Sequence, residues 1–236
     1  MKNVITFRLW TDYTDNLLDV LTYLFNKGSR FMPEEFDLED YTENDYMPFT
    51  AFDIERKVKS ALASVDVPVL DFLTEKTKNY FHLTIKKGSP CIIKLDIYNS
   101  NEKGFLDNLC DFYEYAARNL DPIFAFAHDF EDAKNTLSGI IPNTISKIYW
   151  INIFGRKLME LVANFEEVKA LKFYSTSTTD YKDLDGFISF FRMCETPADY
   201  KSTKFKLLAE AFSLALAKNK RLLIKTPEKL NADRIK

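Results

Sequence analysis

Glycine is scarce, 6 in 236 residues. None falls in a G-x-G-x-x-G or G-x-x-x-x-G-K-[ST] pattern, which removes the two common phosphate-cradling loops. Histidine is scarcer still, with only His82 and His128. They stand far apart, and no cysteine pair has the short spacing of a zinc site, so no metal is expected. The three cysteines, Cys91, Cys110 and Cys194, are odd in number and scattered. A disulfide framework is therefore not expected, and reduced thiols in a cytoplasmic protein are. No apolar run approaches the roughly 20 residues of a membrane span. The start, MKNVITFRLW, lacks a basic segment leading into a long apolar one, so no signal peptide is expected.

Catalytic patterns are equally thin. No G-x-S-x-G elbow occurs. Acid-any-Lys triplets exist at Glu55–Lys57, Asp132–Lys134 and Glu167–Lys169. None has the upstream strand acid that two-metal chemistry requires. His128-Asp129 has the residue types of a general base and its orienting partner. Gly155-Arg156-Lys157 stands where an anion meets a helix start, but one glycine and two bases are too little for a phosphate site. The basic C-terminal stretch, Lys218 to Lys236, is better read as a solvated tail than as a nucleic-acid contact, because the chain is acidic overall. The expectation is a protein without catalysis, cofactor, nucleic acid or membrane.

Bulk and acid are what the chain has. Hydrophobic residues make up 46%, with 21 Phe and 12 Tyr. A sizeable core is assured. The net charge of −3 hides an asymmetry. Between Phe31 and Glu55 stand nine acids (Glu34, Glu35, Asp37, Glu39, Asp40, Glu43, Asp45, Asp53 and Glu55) and no base. The residues outside this segment hold 26 acids against the chain's 32 bases. The segment lacks the spacing of a calcium loop. Its acids surround Phe31, Phe36, Tyr41, Tyr46 and Phe49. Aromatic anchors in a charged rim suit a docking surface, and clustered carboxylates speed encounter with a cationic protein. The candidate partner-binding residues are Glu34, Glu35, Phe36, Asp37, Glu39, Asp40 and Tyr41.

Periodicity gives the fold. Residues 3–10 alternate as a strand, with Ile5, Phe7 and Leu9 on one face and Val4 and Thr6 on the other. Leu17, Leu18, Leu21 and Leu24/Phe25 recur at helical spacing. Residues 29–51 show no period and read as an acidic loop or insert, followed by a helix over FDIERKVKSALAS. Strands are predicted in VPVLDFLTE, NYFHLTIKK and PCIIKLDIYN, with Lys87-Gly88-Ser89 as a hairpin turn. A helix follows with Phe105, Leu109, Phe112/Tyr113, Ala116 and Leu120 on one face. PIFAFAHDF alternates as a strand. ISKIYWINIFGRKLMELV reads as a strand, a break at Gly155 and a helix, with Trp150 and Asn152 as scaffold. KALKFYSTST and DGFISFFRM are strands, and YKSTKFKLLAEAFSLALAKN closes the order as a helix. Paired strands beside helices argue for the α+β class: a mixed, largely antiparallel sheet with helices on one side. The pattern suggests one domain of two similar half-modules, about 1–120 and 121–225.

DPIFAFAHD, YWINIFGRKLMELV, the strands around DLDGFISFF and the Ala/Leu-rich last helix together resemble immunity proteins of bacterial polymorphic toxin systems. The group in question is the immunity protein 52 family and its relatives. The likeness covers roughly residues 80–217 and rests on Trp150, Asn152, Gly155, Asp185 and Gly186, with Pro197 after the last strand. It implies a cytoplasmic protein, monomeric or weakly dimeric, that binds a cognate toxin and occludes its active site. The toxin would present a basic surface. Two other readings stay open: an enzyme with a cleft around His128, Asp129 and Arg156, or a non-catalytic adaptor.

Overall fold

The computed structural model describes residues 4–26, 31–37, 47–50, 54–64, 69–74, 81–98, 103–133, 144–145, 147–162, 164–180, 187–218 and 223–224. The chain forms two compact units, Met1–Ala125 and Phe126–Lys236.

The first unit is built on β1 (Val4–Thr11), α1 (Leu17–Asn26), β2 (Glu35–Asp37), β3 (Met47–Pro48), α2 (Lys59–Ala63), β4 (Val69–Leu73), β5 (Phe81–Lys86), β6 (Cys91–Tyr98) and α3 (Lys103–Leu120). Its strands run in the order β1-β6-β5-β4-β2-β3. Every neighbouring pair is antiparallel. Strand alternation then decides two faces. On one, Phe7, Leu95, Leu83, Phe72 and Phe36 are aligned across five strands. All five are fully buried. Helices α1 and α3 cover this face: Phe7 stacks on Tyr113 at 4.2 Å, and Phe25 meets Phe72 at 5.4 Å. The predicted stripe on α3 is the buried one, from Phe105 to Leu120.

Part of the acidic segment, expected to be a loop or insert from its lack of period, is strand. Residues 35–37 and 47–48 form β2 and β3, which extend the sheet beyond β4. Three residues are too few to show alternation, and the buried ring of Phe36 holds the strand in the core. The helix expected over 52–64 is a π-helical turn, Ile54–Val58, running into α2. Ile54, Val58 and Ala61 supply its buried side. Lys87 Nζ donates to Ala61 O at 2.8 Å and also to Ser64 O, so the cation satisfies carbonyls at the end of α2.

The second unit contains β7 (Phe124–Asp129, which begins just before the boundary), α4 (Phe130–Ala133), β8 (Thr144–Ile145), β9 (Ile151–Phe154), α5 (Arg156–Met159), α6 (Phe165–Lys169), β10 (Ser175–Asp180), β11 (Phe187–Arg192), α7 (Thr203–Ala217) and β12 (Leu223–Ile224). Its main sheet has the order β10-β11-β9-β7, with β10-β11 and β11-β9 antiparallel. β8 and β12 form a separate parallel pair. Phe212 of α7 packs against Phe154 at 5.8 Å and Phe191 at 5.1 Å. Both units thus combine antiparallel sheet with helices, the α+β class. No helix among the described residues is long and apolar enough to cross a membrane.

Candidate functional site

The second face of the first unit's sheet is polar, and the strand register makes it so. Thr6, Asp96, His82, Leu73 and Glu35 are aligned across β1, β6, β5, β4 and β2. Arg8, Lys94, Thr84, Asp71 and Asp37 form the next row. Basic residues gather on β1 and β6; carboxylates gather on β4 and β2.

The β1 end is closed off from water. Arg8 and Asp96 are 6% and 3% exposed. Arg8 Nη1 lies 2.9 Å from Asp96 Oδ1, and Thr6 Oγ1 donates to the same oxygen at 2.6 Å. Lys94 Nζ reaches Asp96 Oδ2 at 3.0 Å. Burial alone would raise the Asp96 carboxyl, but Arg8, Thr6 and Lys94 outweigh it and hold the group below its ordinary range. Burial pulls the Arg8 guanidinium down, Asp96 opposes that, and arginine keeps its proton at neutral pH.

The β2 end is half-buried: Glu34, Glu35, Asp37, Asp71 and His82 all reach solvent in part. Nε2 of His82 lies 3.1 Å from Asp71 Oδ1 and 3.3 Å from Thr84 Oγ1. Asp37 stands directly opposite Asp71 across the ladder. Like charges at directly opposed strand positions disfavour the pairing by roughly 0.2–1 kcal/mol. This acidic margin is where the fold keeps carboxylates together despite that penalty.

Of the partner-binding residues expected from sequence, Glu34, Glu35 and Asp37 lie on this margin. Phe36 corrects the expectation. It is 0% exposed and packs among Phe49, Phe72 and the Lys57 ammonium, so it is core and cannot anchor a partner. Its alternation with Glu35 and Asp37 turns it to the dry face. Phe31 and Phe49 are buried too. Glu39, Asp40 and Tyr41 lie outside the described residues. Asp71 and the Arg8–Asp96 pair were missed by sequence reasoning; the only available signal was the Thr6, Arg8 alternation opposite LDIY.

His128 is organised for structure. Its ring is fully buried. Nδ1 accepts from the Trp150 backbone N–H at 2.9 Å, which fixes the tautomer, and Nε2 donates to Asp132 Oδ2 at 2.5 Å. Both nitrogens are engaged, and the carboxylate partner is Asp132, one helical turn on, in place of the expected Asp129. Lys147 also pairs with Asp132 at 2.5 Å. Burial lowers His128, with Asp132 opposing. Burial would raise Asp132, yet its hydrogen bonds from His128 and Lys147 bring it down to about 2. Arg156 sits on α5 and is half-buried.

Trp150 and Asn152 hold the same region together. Trp150 Nε1 donates to Cys194 O at 2.8 Å, and Arg192 lies over its ring at 5.5 Å. The Asn152 amide closes on Tyr149 from both ends, accepting from its N–H at 3.0 Å and donating to its carbonyl at 2.9 Å. That local loop stands at the head of β9, and the strand starts at Ile151, later than expected from ISKIYWINIF. Gly155 stands between β9 and α5, where its carbonyl accepts from Leu158 and Met159. Asp185 and Gly186 lie outside the described residues. Among those residues no group of three His, Cys, Asp or Glu side chains forms a metal-binding cluster.

No family model matches the sequence, and no curated protein matches it. Among solved structures, the fold is similar to the Pseudomonas aeruginosa T6SS protein PA0821, at TM-score 0.57 and 11% identity over 93% of this chain and 74% of that one. A structure of the toxic C-terminal tip of CdiA from Pseudomonas aeruginosa in complex with immune protein also aligns, at TM-score 0.34 and 12% identity over 55% of this chain and 87% of that one. The first likeness is one of fold alone. The second is too slight to carry any argument.

Proposed function

We propose that this protein is a cytoplasmic immunity protein that binds a cognate toxin and covers its active site without chemistry of its own. One observation carries the proposal: the acidic margin of the first unit. There Asp37 and Asp71 oppose each other across β2 and β4, with Glu35 on the same face. Such a margin suits a cationic partner by charge complementarity. The same stretch of sequence holds further acids from Glu39 to Glu55. A toxin that handles an anionic substrate presents bases around its catalytic centre, and a carboxylate margin competes for that surface. The fold shared with a T6SS protein agrees with an interbacterial setting.

The test uses the polypeptide encoded beside this gene as the probe. Cells making that polypeptide are challenged with the wild-type protein or with the Glu35→Gln, Asp37→Asn variant. Growth rescued by the wild type and lost or weakened with the variant supports the reading. A wild type that neither binds the polypeptide nor rescues growth sinks it.

A further inference from the structure

Helix α7 is apolar on two sides. Phe205, Phe212 and Leu216 turn inward and are buried, with Phe212 against Phe154 and Phe191. At about 100° per residue, Leu207 and Leu214 stand on the opposite side, two turns apart. They are 62% and 59% exposed, the most exposed large apolar side chains among the described residues. Ala211 lies between them and is half-buried. A single exposed leucine is ordinary on a protein surface, but a helix apolar all round is one that is covered all round. The charges beside this row are ordered. Lys204 flanks it on one side, Lys206 and Glu210 on the other, and all three are exposed. Among the described residues none of the three has an ion-pair partner.

We infer that the outer face of α7 docks an acidic amphipathic helix of another protein. Leucines at this spacing are the anchors by which two helices meet along one face. Charge complementarity fixes the rest of the partner: acids along the edges of its apolar row to meet Lys204 and Lys206, and one base to meet Glu210. Glu210 also decides against two other occupants. A two-fold antiparallel pair of α7 helices that sets Leu207 against Leu214 of a second copy brings the two Glu210 carboxylates nearly level on the same side, where they repel. An anionic lipid surface suits the lysines but draws Glu210 into the headgroups, and two leucines are a small face for that task. A partner helix with a base in its row meets every group at once. One face of a 15-residue helix is well below the usual interface of about 1,600 Å², so this contact alone is weak. The inference concerns the second unit and does not depend on the acidic margin of the first.

The probe is a synthetic helical peptide with two leucines seven residues apart, one lysine between them and glutamates along the edges. Its binding to the full chain is followed by fluorescence anisotropy, and thermal melting of each variant verifies folding. Saturable binding to the wild type is expected. Leu207→Ser with Leu214→Ser should weaken it about tenfold or more. Glu210→Lys should weaken it roughly two- to fivefold, and a peptide carrying glutamate in place of its central lysine should bind that variant better than the wild type. A wild type that does not bind the peptide up to millimolar concentration overturns the inference. Binding that survives the leucine substitutions uses another surface and overturns it equally. Binding to phosphatidylserine vesicles, or a dimer in sedimentation, that the leucine substitutions abolish would assign the face to lipid or to a second copy and overturn it too.

Discussion

The two units bury polar groups in opposite ways. The first buries an ion pair: Arg8 and Asp96 meet at 2.9 Å with Thr6 on the shared oxygen. The second buries a neutral imidazole, His128, whose charge partner Asp132 remains at the half-buried rim with Lys147. The difference lies in what can be shared. A carboxylate with two oxygens takes Arg8, Thr6 and Lys94 at once and stays ionised. An imidazole wedged between the Trp150 N–H and a carboxylate has one acceptor and one donor to offer, and both are used only when the ring is neutral. The sheet margins differ in the same spirit. The first unit tapers through a strand of 3 residues and one of 2 that ends on Pro48, while the second stops on a full strand.

The largest effect should come from breaking the first unit's pair. Asp96→Ala strands a buried guanidinium and is expected to lose about 3–5 kcal/mol in urea unfolding, whereas Arg8→Met with Asp96→Leu together should lose far less. In the second unit His128→Leu leaves the Trp150 N–H buried without an acceptor. A loss of about 1–3 kcal/mol is expected, with a change in tryptophan fluorescence.

Acidity should separate the units next. His128 is lowered from 6.5, so the unfolded chain takes the proton first. Its contribution is complete above that value and declines as the pH falls towards the folded value. Protonation also places a hydrogen on Nδ1, against the Trp150 N–H. Asp96 is lowered from 3.8, so its contribution is complete above that pH and is lost only as the pH falls through its folded value. Amide exchange should therefore quicken in β9 at a higher pH than in β1 and β6. Simultaneous loss near pH 4 would show that His128 does not set the second unit's response. A smaller effect is expected at Thr196, whose hydroxyl and backbone N–H both meet Asp199 at the turn that starts with Pro197. Thr196→Ala should lose about 1 kcal/mol by chemical denaturation.

Local pattern made some of this legible. The alternation in β1, the hairpin of β5 and β6, and the apolar stripe on α3 are dictated by neighbours in sequence, and they stand as expected. The strands β2 and β3 were hidden because their place is set by the pairing of β2 with β4 and β3 and by one buried ring, Phe36, and not by any repeat of their own. The start of β9 was misjudged because Asn152 imitates a backbone partner for Tyr149, which a hydropathy pattern cannot register. The Arg8–Asp96 and Asp37–Asp71 relationships join residues distant in the chain. They follow from strand register, which only the assembled sheet supplies. Trp150 is fully buried and Gly155 stands at the turn from β9 to α5, one bulky and one minimal residue at a strand-to-helix junction.

Asp37→Asn tests the central claim most directly, because it removes one charge of the acidic margin while keeping the side chain's size and shape. The association rate with the polypeptide encoded beside this gene, measured by stopped-flow across a range of salt, should fall and depend less on salt. An association rate and salt dependence identical to the wild type would contradict the claim that this margin receives a cationic partner.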